Sequence, residues 1–286
     1  MNSTKTFLSL TVAGVALGVV FTSCDSLFND DKDEDTGTLS VLLTDGPFPV
    51  DLVAEANVTI DSLDIREKHT EDTTGAYTTL TRDQATYNLM DLRNGVTESL
   101  ANLEVEAGVY NQVRLYVSAA EVILKDGSEY PLQVPSGVRT GLKIFISPDI
   151  EVSHDITAEL LLDIDVGKSF VVQGNPYGPG SIEFLFRPVV RAVNQSTAGR
   201  LTGIVTDTSA TANPIGDALV WVMQDSLVSH TFTDTLTGAY QLIGLTAGGY
   251  TASATAAGYD TVTIADVVIT AADETPRDFE LTPLPQ

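Results

Sequence analysis

From residue 38 onward, the chain consists of short stretches in which apolar and polar residues alternate, separated by Gly, Pro, Asn or Asp. Thr, Val and Ile are frequent in these stretches. Alternation with a period of two, in β-branched residues bounded by turn formers, predicts half-buried β-strands. Residues 96–103 form the one stretch that we interpret as a short helix. The pattern therefore predicts an all-β fold.

A small polar linker, residues 194–198, divides this β-patterned region. Beyond the linker the predicted strands are tighter and contain more Gly and Ala. We predict two β-sandwich domains in tandem, of an Ig-like or prealbumin-like type, which span residues 38–193 and 199–283.

The two predicted domains share one local sequence pattern. Residues 107–110 (AGVY) and 247–250 (AGGY) each precede a predicted strand. A glycine at such a place permits a tight turn with positive φ. We expect Tyr110 and Tyr250 to enter their strands with the ring in the core.

The N-terminus carries the only cysteine of the chain, Cys24. Lys5, a predominantly apolar run at residues 7–21 and small residues before Cys24 are the parts of a signal peptide, predicted here as residues 1–23. The apolar run is shorter than the ~20 residues of a membrane-spanning helix. Residues 21–24 (FTSC) resemble the lipobox of bacterial lipoproteins, although Phe21 stands where Leu or Val is usual.

This resemblance implies that Cys24 becomes the lipidated first residue of the mature chain, so that the lipid anchors the protein to a membrane. Several acyl chains together give stable anchoring. The alternatives are an ordinary cleaved signal peptide that leaves a free thiol, and a membrane-spanning anchor. A modified Cys24 leaves no other cysteine, so the domains must depend on their cores rather than on disulfides.

An acidic stretch follows Cys24, and we predict that residues 24–37 form a disordered tether. Residues 29–35 (NDDKDED) resemble the acid-rich export signals of surface lipoproteins of the Bacteroidota. That resemblance implies an outer-membrane lipoprotein exposed at the cell surface. The simpler interpretation, which is compatible with it, is a spacer that holds the domains away from the bilayer.

The formal net charge of the chain is −24. Nucleic-acid binding requires clusters of Lys and Arg, so this charge argues against a nucleic-acid partner. It argues equally against electrostatic docking to anionic lipid headgroups. The charge leaves a protein or a glycan as the partner to be considered.

The second predicted domain resembles the carboxypeptidase regulatory-like domain, a prealbumin-like sandwich. The matching elements are residues 203–207 (GIVTD), 214–218 (PIGDA), 238–240 (GAY), 248–250 (GGY) and 258–259 (GY). The resemblance implies a non-catalytic accessory module without an active site. Carbohydrate binding occurs in the same fold class, which is an analogy of fold only.

Trp221, the only tryptophan, is the candidate for a sugar-stacking platform in this domain. Alternation places Leu219, Trp221 and Met223 on one strand face and Ala218, Val220 and Val222 on the other. We favour packing of Trp221 in the core over exposure as a platform.

The first predicted domain resembles a family of unknown function found in envelope lipoproteins. The matching elements are residues 43–47 (LTDGP), 108–115 (GVYNQVRL), 140–143 (TGLK), 162–169 (LDIDVGKS) and 187–191 (RPVVR). The resemblance supports the fold and the cellular location, and it implies no particular chemistry.

Asp163 and Asp165 are two residues apart on one predicted strand and form a candidate Ca²⁺ site together with Asp45. Pairing of the two carboxylates with Lys143, Lys168 or Arg187 is the interpretation that we favour, and plain solvent exposure is a third one. We therefore predict no metal and no cofactor other than the lipid.

Several Asp-Ser/Thr-apolar triplets resemble the O-glycosylation motif of Bacteroidota envelope proteins. We hypothesise glycosylation in exposed loops at one or more of Ser62, Thr73, Ser226, Thr235 and Thr261.

Catalytic motifs are not found in the sequence. The three histidines, His69, His154 and His230, are far apart, and no G-x-S-x-G, HExxH or Walker pattern is present. We predict a non-catalytic envelope lipoprotein that acts as a binding or scaffolding module. The alternative is a glycan-binding accessory lipoprotein of a nutrient-uptake system.

Overall fold

The computed structural model describes residues 36–46, 52–68, 76–174 and 182–285. The predicted signal peptide, Cys24 and Thr73 lie outside these residues. Within them, the regular secondary structure is almost entirely β-strand, as the alternating pattern predicts.

The first domain begins at Thr36 and ends at Asn194. Its elements in chain order are β1 (Thr36–Gly46), β2 (Val53–Glu67), β3 (Tyr77–Thr81), β4 (Ala85–Asn88), a 3-10 turn (Leu89–Asp91), β5 (Glu98–Glu106), β6 (Gly108–Leu124), β7 (Glu129–Leu132), α1 (Ser136–Arg139), β8 (Leu142–Val152), β9 (Thr157–Asp165), α2 (Val166–Ser169), β10 (Phe170–Gln173), β11 (Glu183–Phe186) and β12 (Val190–Asn194).

One long sheet, of order β3-β2-β6-β8-β12-β9-β1-β5, forms most of this domain; β4 also pairs with β2, and β7 with β6. The sheet curls around a single hydrophobic core, and its terminal strands β3 and β5 contact each other. The fully buried side chains of this core come from both halves of the curled sheet, for example Leu39, Leu63, Leu115, Ile150 and Leu160. Strands β10 and β11 form a separate two-stranded sheet.

The helix predicted for residues 96–103 is wrong, because Glu98–Glu106 form strand β5. This strand pairs antiparallel with β1 and buries Leu100, Ala101 and Val105. The Glu, Leu and Ala in this stretch favour a helix locally, but backbone pairing with β1 and burial of the apolar side chains outweigh that preference.

The second domain is a sandwich of two four-stranded sheets. Its strands are β13 (Gly199–Asp207), β14 (Leu219–Met223), β15 (Leu227–Phe232), β16 (Ala239–Leu245), β17 (Gly248–Thr255), β18 (Thr261–Ile269), β19 (Glu274–Pro276) and β20 (Phe279–Leu281). One sheet has the order β16-β13-β19, with β20 also paired to β13, and the other has the order β15-β14-β17-β18. Leu201, Val220 and Phe279 belong to the core between them. The chain is therefore two β-sandwich domains in tandem.

The two tyrosines predicted to enter the core do so in the same manner. Tyr110 and Tyr250 are 4% and 3% exposed. Each hydroxyl donates a hydrogen bond to the backbone carbonyl four residues earlier, that of Glu106 or Thr246, at 2.8 Å. The expected positive φ occurs at Gly248 (155°) but not at Gly108, where β6 already begins in extended conformation. Each Tyr thereby ties the start of its strand to the preceding turn.

We expect Tyr110→Phe to lower the free energy of unfolding by about 1–2 kcal/mol, because the Glu106 carbonyl loses its partner in a part-buried site. Urea denaturation followed by fluorescence measures the change. Tyr130→Phe is the matched control, since it keeps the edge-on ring contact with Phe184. Equal stability of the two variants would show that the Tyr110 hydroxyl does not brace the turn.

Candidate functional site

The outer face of β14 carries the large apolar side chains of the second domain. Ala218, Val220 and Val222 are completely buried between the two sheets. Trp221 is only partly buried and lies outside that core, between half-buried Leu219 and exposed Met223. The alternation of the two faces was predicted correctly, but core packing of Trp221 is wrong. The inner face accepts the small residues, which fit the narrow space between sheets about 10 Å apart.

Strand β15 completes an apolar concavity on this outer face. In register, Trp221 lies between His230 on β15 and Ser253 on β17. A concavity of about 320 Å³ is lined by Leu219, Trp221, Met223, Leu227 and His230. We call this set the Trp221 face.

The neighbouring half of the same sheet is polar, but its hydroxyl groups bond to one another. The Ser253 and Thr263 hydroxyls are 2.9 Å apart, and Thr261 donates to Thr255 at 3.1 Å. The Trp221 face thus combines the apolar side chains of two Leu and one Met with an indole and, at one side, the His230 ring, beside hydroxyls that are already paired. It suits an apolar ligand better than a sugar, which needs available polar groups around the ring.

Asn94 of the first domain forms hydrogen bonds with β15 and β16, which are edge strands of the two sheets of the second domain. Its side-chain Oδ1 accepts from the Gln241 amide at 2.6 Å, and its Nδ2 donates to the Ala239 carbonyl at 3.3 Å. The Asn94 backbone amide donates to Thr231 Oγ1 at 3.0 Å. Asn94 has φ of 60°, which Asn tolerates better than most residues. Its amide group therefore replaces a neighbouring strand at the open edge of β16.

Other contacts reinforce this junction between the domains, which together form one compact unit. Arg191 Nη1 donates to the Gly244 carbonyl at 2.9 Å. A small apolar cluster joins Leu161 and Val193 of the first domain to Ala198 and Ile243. Nothing in the sequence indicated that the loop of Asn94 would contact β16.

The three candidate metal ligands come together at the ends of β1 and β9, which pair in parallel. Asp163 forms an ion pair of 2.6 Å with Arg191, directly opposite on β12. Asp165 pairs with Lys168 at 2.8 Å. The sequence named Lys168 as a partner but not Arg191, because the β9–β12 register is not readable from local pattern. Among the residues that the structure describes, no three His, Cys, Asp or Glu side chains are grouped as a metal site.

Asp45 is the least satisfied of the three acids. Its Oδ1 accepts from the Val166 amide at 3.1 Å, whereas Oδ2 is buried without a hydrogen-bond partner among the described residues. Burial raises the pKa of Asp45 well above its usual range, and the nearby carboxylate of Asp163 raises it further. The folded protein therefore favours protonation of Asp45 more than the unfolded chain does.

The glycosylation candidates differ in their surroundings. Ser226 and Thr235 are exposed in turns, and Thr261 is exposed at the start of β18. Ser62 lies in the middle of β2 and is half-buried, because its strand is paired on both sides.

Comparison with known families agrees with this two-domain architecture. The model of a domain of unknown function, DUF4382, matches residues 36–179, and that of the carboxypeptidase regulatory-like domain matches residues 200–282. The chain belongs to the DUF4382 family, and its second domain is a carboxypeptidase regulatory-like domain. The resemblance of each domain to its family is confirmed.

Three solved structures of pilins align with most of the chain at low similarity. The minor pilin GBS52 of Streptococcus agalactiae is 11% identical, with 86% of this chain and 97% of that chain covered and a TM-score of 0.25. BcpA, the major pilin of Bacillus cereus, is 10% identical, with 87% of this chain and 71% of that chain covered and a TM-score of 0.28. The shaft pilin SpaA of Lactobacillus rhamnosus GG is 11% identical, with 88% of this chain and 99% of that chain covered and a TM-score of 0.29. TM-scores this low support no inference about function.

No protein with curated function matches the chain. Within the described ranges, no helix has the length and apolar character needed to cross a bilayer.

We expect Asp45→Asn to raise the free energy of unfolding at pH 7 relative to the unchanged chain. The pKa of Asp45 is higher in the folded protein than in the unfolded chain. Its contribution to stability is therefore fully present below the unfolded-state pKa and is lost as the pH rises through the folded-state pKa. An amide has no charge to bury and can still accept from Val166. The gain should shrink as the pH is lowered toward 4, as measured by thermal and urea unfolding across pH.

Asp266→Asn is the control, because it makes the same substitution at an exposed strand position. Its unfolding free energy should change by no more than about 0.5 kcal/mol. A stability gain for Asp45→Asn that is constant with pH would contradict a role for its ionisation.

Proposed function

We propose that this protein is a non-catalytic binding and scaffolding module of the cell envelope, which docks another protein on the Trp221 face. The observation that carries the proposal is the apolar concavity on an outer sheet face, around the only tryptophan of the chain. Partly exposed tryptophans among aliphatic side chains are enriched at the energetic centres of protein interfaces.

Charge favours a partner other than a second copy of the chain. Residues 199–283 contain ten acidic residues and only two basic ones, Arg200 and Arg277. Two such domains repel each other at close range. We therefore propose a partner with apolar side chains surrounded by Lys and Arg, which would be attracted to the acidic surroundings of the Trp221 face.

A glycan-binding accessory lipoprotein of a nutrient-uptake system is the second candidate function. It requires an aromatic surface with available polar groups at its edge. The Trp221 face supplies the aromatic ring, but its hydroxyl neighbours are bonded to each other. The face therefore supports protein docking over sugar binding.

We also propose that the protein reaches this partner as an outer-membrane lipoprotein exposed at the cell surface. The lipobox-like residues 21–24 and the acidic residues 29–35 support this location. Covalent lipid on Cys24 is the proposed membrane attachment.

Cys24→Ser should abolish incorporation of an alkyne fatty acid in growing cells and release the protein from the membrane fraction, because no other cysteine can take its place. Gel fluorescence and fractionation give the two readouts, with Ser23→Ala as the control that keeps the thiol. Accessibility to protease on whole cells tests surface exposure. Unchanged labelling of Cys24→Ser would overturn the lipid anchor.

Trp221→Ala should weaken the affinity for the partner by at least about tenfold, because truncating a central aromatic anchor costs about 2 kcal/mol or more of binding free energy. The partner is first identified by photo-crosslinking from position 223 in the native envelope, and its affinity is then measured with purified protein. Ile204→Ala, at an exposed apolar position of the other sheet, should change affinity less than about twofold. Crosslinks only between copies of this chain, or equal affinity of both variants, would contradict the proposal.

A further inference from the structure

The outer face of the first domain carries a second, chemically different surface. Four neighbouring strands, β3, β2, β6 and β8, align two rows of side chains across this face. The first row contains Tyr77, Arg66, Gln112 and Phe145, and the second contains Asp64, Arg114 and Lys143. We call these seven residues the aromatic–basic face.

The alternating residues on the same strands fix which way this surface points. Ile65, Val113 and Ile144 are buried in the core, with exposures between 0% and 6%. The members of the aromatic–basic face are therefore on the opposite, outward side of the sheet.

Contacts within the face hold its side chains in place without a ligand. The Arg114 guanidinium lies 3.9 Å from the centre of the Tyr77 ring, and that of Arg66 lies 5.7 Å from it. The Tyr77 hydroxyl donates to the Gln112 side chain, which is only 3% exposed. The Tyr116 hydroxyl donates to Asp64 at 3.0 Å. Side chains fixed in this way lose little freedom when a ligand binds.

The backbone beside the face is also fitted closely to Arg114. Gly141 has φ of 100°, and a Cβ at this position would lie 2.4 Å from the Cγ and Cδ atoms of Arg114. Only glycine permits the turn after α1 to approach the arginine side chain this closely.

The charge of this face is opposite in sign to that of the whole chain. The face contains three basic residues, Arg66, Arg114 and Lys143, and one acidic residue, Asp64. The whole chain, by contrast, carries a net charge of −24. A local positive surface on a strongly acidic protein selects for ligands with acidic groups that are spaced apart, since dense polyanions are repelled by the remainder of the molecule.

Phe145 provides the flat apolar part of the face. It is 68% exposed, and it is the only aromatic residue among the exposed large hydrophobic side chains of the described ranges. Lys143 is two residues away on the same strand face, about 7 Å along the strand. This separation is comparable with the length of one sugar unit together with its carboxylate.

We propose that the aromatic–basic face binds an acidic polysaccharide, such as a chain that contains uronic acids. One sugar ring would stack on Phe145 while its carboxylate pairs with Lys143 and Arg114. The Arg66 guanidinium would meet a hydroxyl of the next sugar, while the buried Gln112 side chain holds the Tyr77 ring in place. This inference is independent of the protein-docking function proposed for the Trp221 face.

The test is calorimetric titration of the purified full chain with oligogalacturonate, with its methyl-esterified form as the uncharged counterpart. Binding should be detected with the acid form, should be at least about tenfold weaker with the ester, and should weaken as salt is raised. Failure of the acid form to bind at millimolar concentration, or equal binding of both forms, would overturn the proposal.

Variants locate the binding on the proposed face. Phe145→Ala and Lys143→Gln should each reduce affinity about tenfold, and Lys143→Gln should also reduce the dependence on salt. Val268→Ala and Lys125→Gln, at exposed positions elsewhere, should leave affinity within about twofold. Both test residues are exposed, so thermal unfolding should confirm intact folding.

Two further measurements distinguish this proposal from its competitors. Trp221→Ala should bind oligogalacturonate normally, so loss of glycan binding and loss of protein docking can be recognised separately. A poly-glutamate peptide should bind at least about tenfold more weakly than the acidic glycan, because it has no ring to stack on Phe145. Equal binding of the peptide would show a general acid-binding surface and would contradict recognition of a sugar.

Discussion

The hydrogen bonds at the end of β1 hold the loop through which the first domain contacts the second. Thr44 Oγ1 lies 3.0 Å from the carbonyl oxygens of both Leu92 and Val96, and the Asp45 amide donates to Leu92. These bonds hold the loop in which Asn94 reaches the edge of β16. In this arrangement β1 is buried up to its last residues. Burial of the Asp45 carboxyl at that end costs electrostatic free energy.

Sequence pattern determines much of this fold because strand alternation and turn chemistry are local properties. It predicted an all-β fold of two sandwich domains and the buried rings of Tyr110 and Tyr250. It failed where the outcome depends on residues distant in the chain. Residues 98–106 become a strand only because β1 is available to pair with them, and the two faces of β14 look equally suited to a core until the opposite sheet is in place.

The same reasoning explains which parts of the candidate sites were missed. The sequence identified Trp221 as a candidate binding residue, but its side of β14 was predicted to face the core and instead faces outward. Asp163 was recognised as paired, but its partner Arg191 depends on the register between β9 and β12. The aromatic–basic face is spread over four strands between Asp64 and Phe145, and no single segment shows more than two of its members at strand spacing.

Under the proposed attachment through Cys24, the junction at Asn94 has a mechanical consequence. A pull applied at Thr36 loads the pairs of β1 with β5 and β9 along their whole length, so many hydrogen bonds resist it together. The end of β1 passes that load to β16 through the loop of Asn94, in parallel with the short linker. The linker is therefore not the only connection between the two sandwiches among the described residues, because the Asn94 and Arg191 hydrogen bonds also join them.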